Sequence, residues 1–180
     1  TARAEQAAAL VAAEPTERWV VWVDTDYEAD AVLAVLGDDA QEVRGSHPIA
    51  RKESTLAAFE SGACRVLVTK PAICGWGLNW QFCARMAFVG RSFSYEAWYQ
   101  AVRRCWRFGQ TRPVVAHVIV AEGEEQIGRV IDRKAADHAA MQTAMATAMR
   151  EAVASTAVVK RAYHATHEGR LPSWLHSTTA

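Results

Sequence analysis

The densest chemistry in the chain lies in SYEAWYQAVRRCWRFGQ, residues 94–110. Gln100, Arg104 and Arg107 stand at i, i+4 and i+7, so a helix there places them on one face. Trp98, Val102 and Cys105 fall on the opposite face and would pack inward. The expectation is one helix that buries its apolar side and aims two guanidiniums and an amide outward together. Two fixed guanidiniums a turn apart suit the oxygens of a polyphosphate, because each fork donates two parallel hydrogen bonds. The alternative is a solvated basic face with no ligand.

A second segment, VLVTKPAICGWGLNW (residues 66–80), ends an apolar run at Thr69 and then carries Gly75 and Gly77 before Asn79. Glycines let a backbone approach a ligand closely, and free N–H groups at a helix start favour anions. Ordinary turn chemistry accounts for the same residues. In VVWVDTDY (residues 20–27) an apolar run ends in Asp24 and Asp26. Such a pair resembles the Mg²⁺-binding motif of phosphatases with an aspartate nucleophile. Tyr27 stands where that motif has Thr or Val, however, and no paired acidic motif follows a later strand. Asp24 or Asp26 is therefore expected to cap a helix beginning near Tyr27.

The cysteines at 64, 74, 83 and 105 form no CxxC pair and have no His at zinc-finger spacing, so no metal site is expected. They read instead as reduced, mostly buried thiols. The chain has no GxxxxGK[ST] phosphate loop, no GxSxG elbow, no HExxH, and no GxGxxG followed by an acidic residue.

The elements that must hold these residues alternate along the chain. Residues 2–13 are strong helix formers, ended by Pro15. Apolar runs predict buried strands over Arg18–Asp24, Cys64–Thr69, Arg85–Val89 and Pro113–Val120, with a shorter one at Glu42–Arg44. Helical spacing covers Tyr27–Leu36, stopped by Gly37. A second helix covers Ile49–Ser61, with Leu56 and Phe59 inward and Gly62 as cap. Others cover Tyr95–Phe108 and Glu124 to about Ala154, and the glycine loop is expected to run into a short helix. Strands alternating with helices imply a parallel sheet covered on both faces, with ligands at the carboxyl ends of its strands. The loops after Asp24, Thr69 and Gly90 are then the places to look for chemistry. Met141, Met145 and Met149 recur every four residues, read as a packed stripe rather than an interaction surface.

Composition bounds the answer without choosing it. The 180 residues carry 20 Lys plus Arg against 20 Asp plus Glu, a net charge of zero that gives no prior for nucleic acid. A hydrophobic content of 51% excludes intrinsic disorder, and no apolar run is long enough for a membrane span.

Taken in order, three blocks resemble the second RecA-like lobe of superfamily 2 helicases and translocases, in particular the Swi/Snf-like branch and phage-type DNA helicases within it. RGSHPIARKESTLAAFESG (residues 44–62) is similar to the family's strand, Gly turn, Arg and helix ending in F-x-x-G. CRVLVTKPAICGWGLNWQFCARMAFVG (residues 64–90) resembles motif V. YQAVRRCWRFGQ (residues 99–110) resembles motif VI, Q-A-x-x-R-x-x-R-x-G-Q, at full spacing, although Arg103 replaces its usual acidic residue and Trp106 its usual His.

The resemblance implies an α/β, three-layer RecA-like (P-loop NTPase-like) domain with a mainly parallel sheet and a C-terminal helical extension. It divides the chain into an N-terminal helix (1–14), the helicase C-terminal domain (15–137) and the extension and tail (138–180). It implies that Arg104 and Arg107 reach the γ-phosphate of ATP, with Gln100 beside them. Gly75, Gly77 and Asn79 would lie near the nucleotide, and Thr69, Lys70, Gly45 and Arg51 against nucleic acid. ATP and Mg²⁺ would be held mainly by a first lobe this sequence lacks, so the isolated lobe, without a phosphate loop, is expected to be inactive and to carry no cofactor. The expected partners are that N-terminal lobe and DNA, bound without sequence preference. The expected setting is the cytoplasm, of a bacterial host if phage-encoded. A retired lobe that only binds nucleic acid or protein is the alternative function, and a phosphatase using Asp24 a more remote one.

Overall fold

A computed structural model describes residues 1–74, 78–90, 94–121 and 125–155. Gly75 and Gly77 lie outside these. The elements run α1 (Ala2–Ala13), β1 (Trp19–Trp22), α2 (Asp26–Leu36), β2 (Ala40–Val43), α3 (Ile49–Ser61), β3 (Val66–Thr69), β4 (Arg85–Phe88), α4 (Tyr95–Cys105), β5 (Val115–Val118) and α5 (Glu125–Ser155). The five strands form one sheet in the order β2-β3-β1-β4-β5, every pairing parallel.

Side-chain alternation along the strands builds two cores. Trp19, Val21, Val66, Val68 and Ala87 pack with Ala4, Ala7 and Val11 of α1 and Ala29 and Val32 of α2. On the other face Val20, Trp22, Leu67, Met86 and Phe88 meet Phe59 of α3, Trp80, and Ala101 and Cys105 of α4. Both faces are dry, which is why β1 and β3 read as unbroken apolar runs. Each fully buried Val, Leu or Met contributes roughly 1.5–3 kcal/mol of transfer free energy. Phe59 is fully buried and Leu56 half-buried on the inward face of α3.

Local chemistry sets the helix ends. Thr25, not Asp24 or Asp26, caps α2: its hydroxyl accepts from Glu28 N (3.2 Å), while the Glu28 carboxylate accepts from Asp24 N (2.9 Å) and Thr25 N (3.0 Å). The T-x-x-E spacing of a capping box outcompetes the lone acids because it satisfies donors in both directions. Gly62 ends α3 at φ 88°, ψ 6°, a left-handed cap. Helix α4 stops at Cys105, short of Phe108, and Gly109 takes φ 94° as the chain turns toward β5. No short helix follows the glycine loop among the described residues 78–84.

The chain divides into two compact units, Thr1–Ala139 and Ala140–Ala180. The first holds the whole sheet, and α1 belongs to its core. In the second, the described residues are the last turns of α5, where Met141, Met145 and Met149 are exposed rather than packed. Four-residue spacing alone does not tell a packed stripe from a bare one. No helix among the described residues is long and apolar enough to cross a membrane.

Candidate functional site: an arginine pair and a basic edge

In a parallel sheet the helix between two strands must carry the chain back to the edge where strands begin. Helix α4 does this between β4 and β5, so the chain beyond its C-terminus returns toward the amino edge, while both arginine side chains reach the segment that follows Thr69, at Leu78. Gln110 fixes the position: its side-chain amide donates to the carbonyls of Gln81 (2.8 Å) and Cys83 (3.2 Å), just before β4, and to that of Cys105. Its oxygen accepts from Arg112 N at 3.0 Å. Sequence reading gave Gln110 no role beyond the motif, yet it clamps the turn that carries Arg107. The signal was available, since a polar residue just after a turn glycine is placed to satisfy backbone groups.

Arg104 and Arg107 come together as the spacing implied, but not both outward. Arg104 is only 7% exposed, and Arg107 stands in solvent. Each donates through Nη1 to the same acceptor, the Leu78 carbonyl, at 3.4 Å. The Arg104 Nε is buried and has no partner. Neither guanidinium has a carboxylate partner among the described residues. Burial, and then the like charge of Arg107, hold the Arg104 guanidinium below the ordinary arginine value. One carbonyl shared by two cations leaves the pair short of negative charge, which an anion with several oxygens would supply. Gln100 is exposed and bonds to neither arginine. Asn79, next to Leu78, is exposed and accepts weakly from Gln81 N at 3.4 Å.

Around the pair the surface is aromatic. Trp106 is 54% exposed with the Arg103 guanidinium 5.2 Å from its ring centroid, and Phe108 is fully exposed. A cavity of about 260 Å³ opens beside Arg107, between Trp106 and Pro113.

The second set of expected residues follows the carboxyl ends of the strands and is linked to the arginines through Cys74, whose Sγ lies 3.3 Å from Thr69 Oγ1 and feels the charge of Arg104. Thr69 does not present its hydroxyl outward. The residue is buried, its Oγ1 donates to the Val43 carbonyl at 2.9 Å, and Cys74 Sγ lies 3.3 Å away. The last residue of a strand buried on both faces aims its side chain into the core, so this group ties β3 to β2. Lys70 Nζ pairs with Asp26 Oδ1 at 2.8 Å. Arg51 is exposed on the first turn of α3, and the Gly45 carbonyl accepts from Lys52 Nζ at 2.6 Å. A side chain at Gly45 would meet only Ile73, at an ordinary 3.9 Å, so sterics do not require glycine there.

Asp24 is exposed beside a small cleft with Pro71, Gly90 and Trp98. Its neighbour Asp26 is committed to Lys70. No three His, Cys, Asp or Glu side chains among the described residues come together as a cation site. All four cysteines are buried and free.

Among solved structures the chain is similar to the C-terminal part of the Fun30 ATPase domain, at a TM-score of 0.63 and 18% identity, over 72% of this chain and 44% of that one. It is also similar to the C-terminal domain of the DEAD-box protein Dbp5, at a TM-score of 0.64 and 14% identity, over 75% of this chain and 79% of that one. The likeness fixes the fold as a RecA-like α/β lobe. The neighbours within that class are C-terminal lobes, and the chain spans less than half the length of the Fun30 chain it matches. No protein-family profile and no curated protein matches the sequence.

Proposed function

We propose that the chain is the second motor lobe of an ATP-dependent helicase or translocase acting on DNA, of the Swi/Snf-like kind. The observation that carries the reading is the convergence of Arg104 and Arg107 on the Leu78 carbonyl, with no carboxylate partner among the described residues. A buried guanidinium with an orphaned Nε suits an anionic ligand, and the terminal phosphate of ATP bound to a first lobe has the charge and oxygens required. ATP supplies the hydrolysable phosphoanhydride. Arg107, exposed, meets the charge that develops on the transferred phosphoryl group, and Arg104, set deeper, fixes its direction. Arginines in this role accelerate phosphoryl transfer by about 10³–10⁵.

At the carboxyl edge Lys70 and Arg51 supply sequence-independent contacts to backbone phosphates, with Thr69 holding the strand that carries Lys70. Closure of two lobes on ATP and opening after hydrolysis then move the grip along the strand. The test is to join the chain to an N-terminal RecA-like lobe and measure ATP hydrolysis with and without DNA. DNA-stimulated turnover supports the reading. A joined protein that binds ATP yet hydrolyses none with any nucleic acid would leave only a binding lobe.

A further inference from the structure

Two cations at the carboxyl edge, Lys70 and Arg44, are already paired with carboxylates. Lys70 Nζ sits 2.8 Å from Asp26 Oδ1, and the lysine side chain is 25% exposed against 56% for Asp26. Asp26 is the first residue of α2, where the helix N-terminus favours its charge, and the Thr25–Glu28 box fixes that helix start. Arg44 Nε lies 3.9 Å from the same Asp26 oxygen, while Arg44 is held more closely by Glu42 at 2.8 Å and Asp30 at 2.5 Å.

These distances separate two kinds of cation. Arg44 is locked by two close carboxylates and belongs to the scaffold. Lys70 has one carboxylate partner among the described residues, in a partly exposed pair that solvent screens, so another anion can displace it. Asp26 keeps Arg44 within reach when that happens, so its charge is not stranded.

We propose that Asp26 is an internal phosphate mimic, a carboxylate that occupies Lys70 in the free protein and must be displaced by a backbone phosphate, thereby setting the affinity of this edge for nucleic acid. The inference rests on the reading of the carboxyl edge as a phosphate-contacting surface. Asp26 opposes binding twice: it engages the lysine, and it repels the incoming phosphate. Replacing it frees one cation and removes one anion.

The experiment is fluorescence anisotropy of the 180-residue chain with labelled oligothymidylate across a salt series, for wild type, Asp26→Asn, Lys70→Ala and the double variant, each verified as folded by circular dichroism. Asp26→Asn is expected to bind about 3- to 10-fold more tightly at low salt, and the gain to shrink as salt screens the Asp26–Lys70 attraction. Lys70→Ala should remove most of that gain in the double variant, leaving the smaller effect of one fewer anion. A gain that survives Lys70→Ala undiminished would reduce Asp26 to a general charge effect and overturn the proposal, as would an Asp26→Asn protein that binds like wild type. Failure of every variant to bind would instead remove the reading of the edge itself, and the proposal with it.

Discussion

Arg104 illustrates how residue chemistry and residue placement come apart. Its type and spacing named it as a phosphate ligand, but the structure puts it on the buried side of α4 with Ala101 and Cys105. Assigning faces from Trp98, Val102 and Cys105 alone missed this, because Arg104 sits at the border of the apolar stripe. The depressed Arg104 pKa has a stability consequence. A base whose folded pKa is below its unfolded value binds protons less well when folded, so its charge opposes folding at every pH below that value, including neutral pH. We therefore expect Arg104→Met to melt at or above the wild-type temperature. Tripolyphosphate should raise the melting temperature of the wild type by roughly 2–6 °C at ten times its dissociation constant and leave that of Arg104→Met unmoved. Differential scanning fluorimetry reads both.

Asp26 gives the opposite sign. Its hydrogen bond to Lys70 holds its carboxyl below the ordinary 3.8, with smaller help from Arg44. A carboxylate with a depressed folded pKa contributes stability above its unfolded pKa and loses it as pH falls through the folded value. The Asp26 carbon resonance in an NMR titration should thus have its midpoint below 3.8, and Lys70→Ala should move that midpoint up. A pairing that holds at neutral pH and is lost only in acid was not legible in the sequence. Asp26 and Lys70 are 44 positions apart and meet only because β1 and β3 are neighbours.

Among the elements, apolar runs located β1, β3 and β4 to within a few residues, since these strands are buried on both faces, whereas β2 (AQEV) and β5 keep exposed positions. Strand order was not readable, because five short strands carry no mark of their neighbours. Helix ends failed where local turns compete with periodicity, as at α4. Its apolar pattern continues through Phe108, but Gly109 at φ 94° breaks the chain away after Cys105. An added Cβ at Gly109 would also lie 2.7 Å from Gln81 Oε1. Gly109→Ala is accordingly expected to lose about 1–2 kcal/mol in urea denaturation, from the left-handed backbone and the displaced Gln81 together. Thr25→Ala should cost about 1 kcal/mol by the same measurement, through loss of the α2 capping box. The rule that ligands gather where strands end found Lys70 but not the arginines, because these stand at and beyond the C-terminal end of a helix rather than in a loop after a strand.

For the whole molecule, a net charge of zero averages two different regions. Lys70 and Arg44 are paired with carboxylates, whereas Arg104 and Arg107 share the Leu78 carbonyl and have no carboxylate partner among the described residues. In the proposed reading the arginine pair lacks the phosphate it addresses. The RecA-like fold was legible from block order and spacing, whereas the direction of the Thr69 hydroxyl and the depth of Arg104 depended on packing that no motif encodes.

The most direct measurement is the kcat of DNA-stimulated ATP hydrolysis by the chain joined to an N-terminal lobe, compared between wild type, Arg107→Ala and Arg107→Lys. Arg107→Ala is expected to lower kcat by about 10³ or more with a much smaller change in KM, and lysine, which lacks the forked donor, to give little rescue. A kcat within a few-fold of wild type for Arg107→Ala would contradict the proposed role of Arg107.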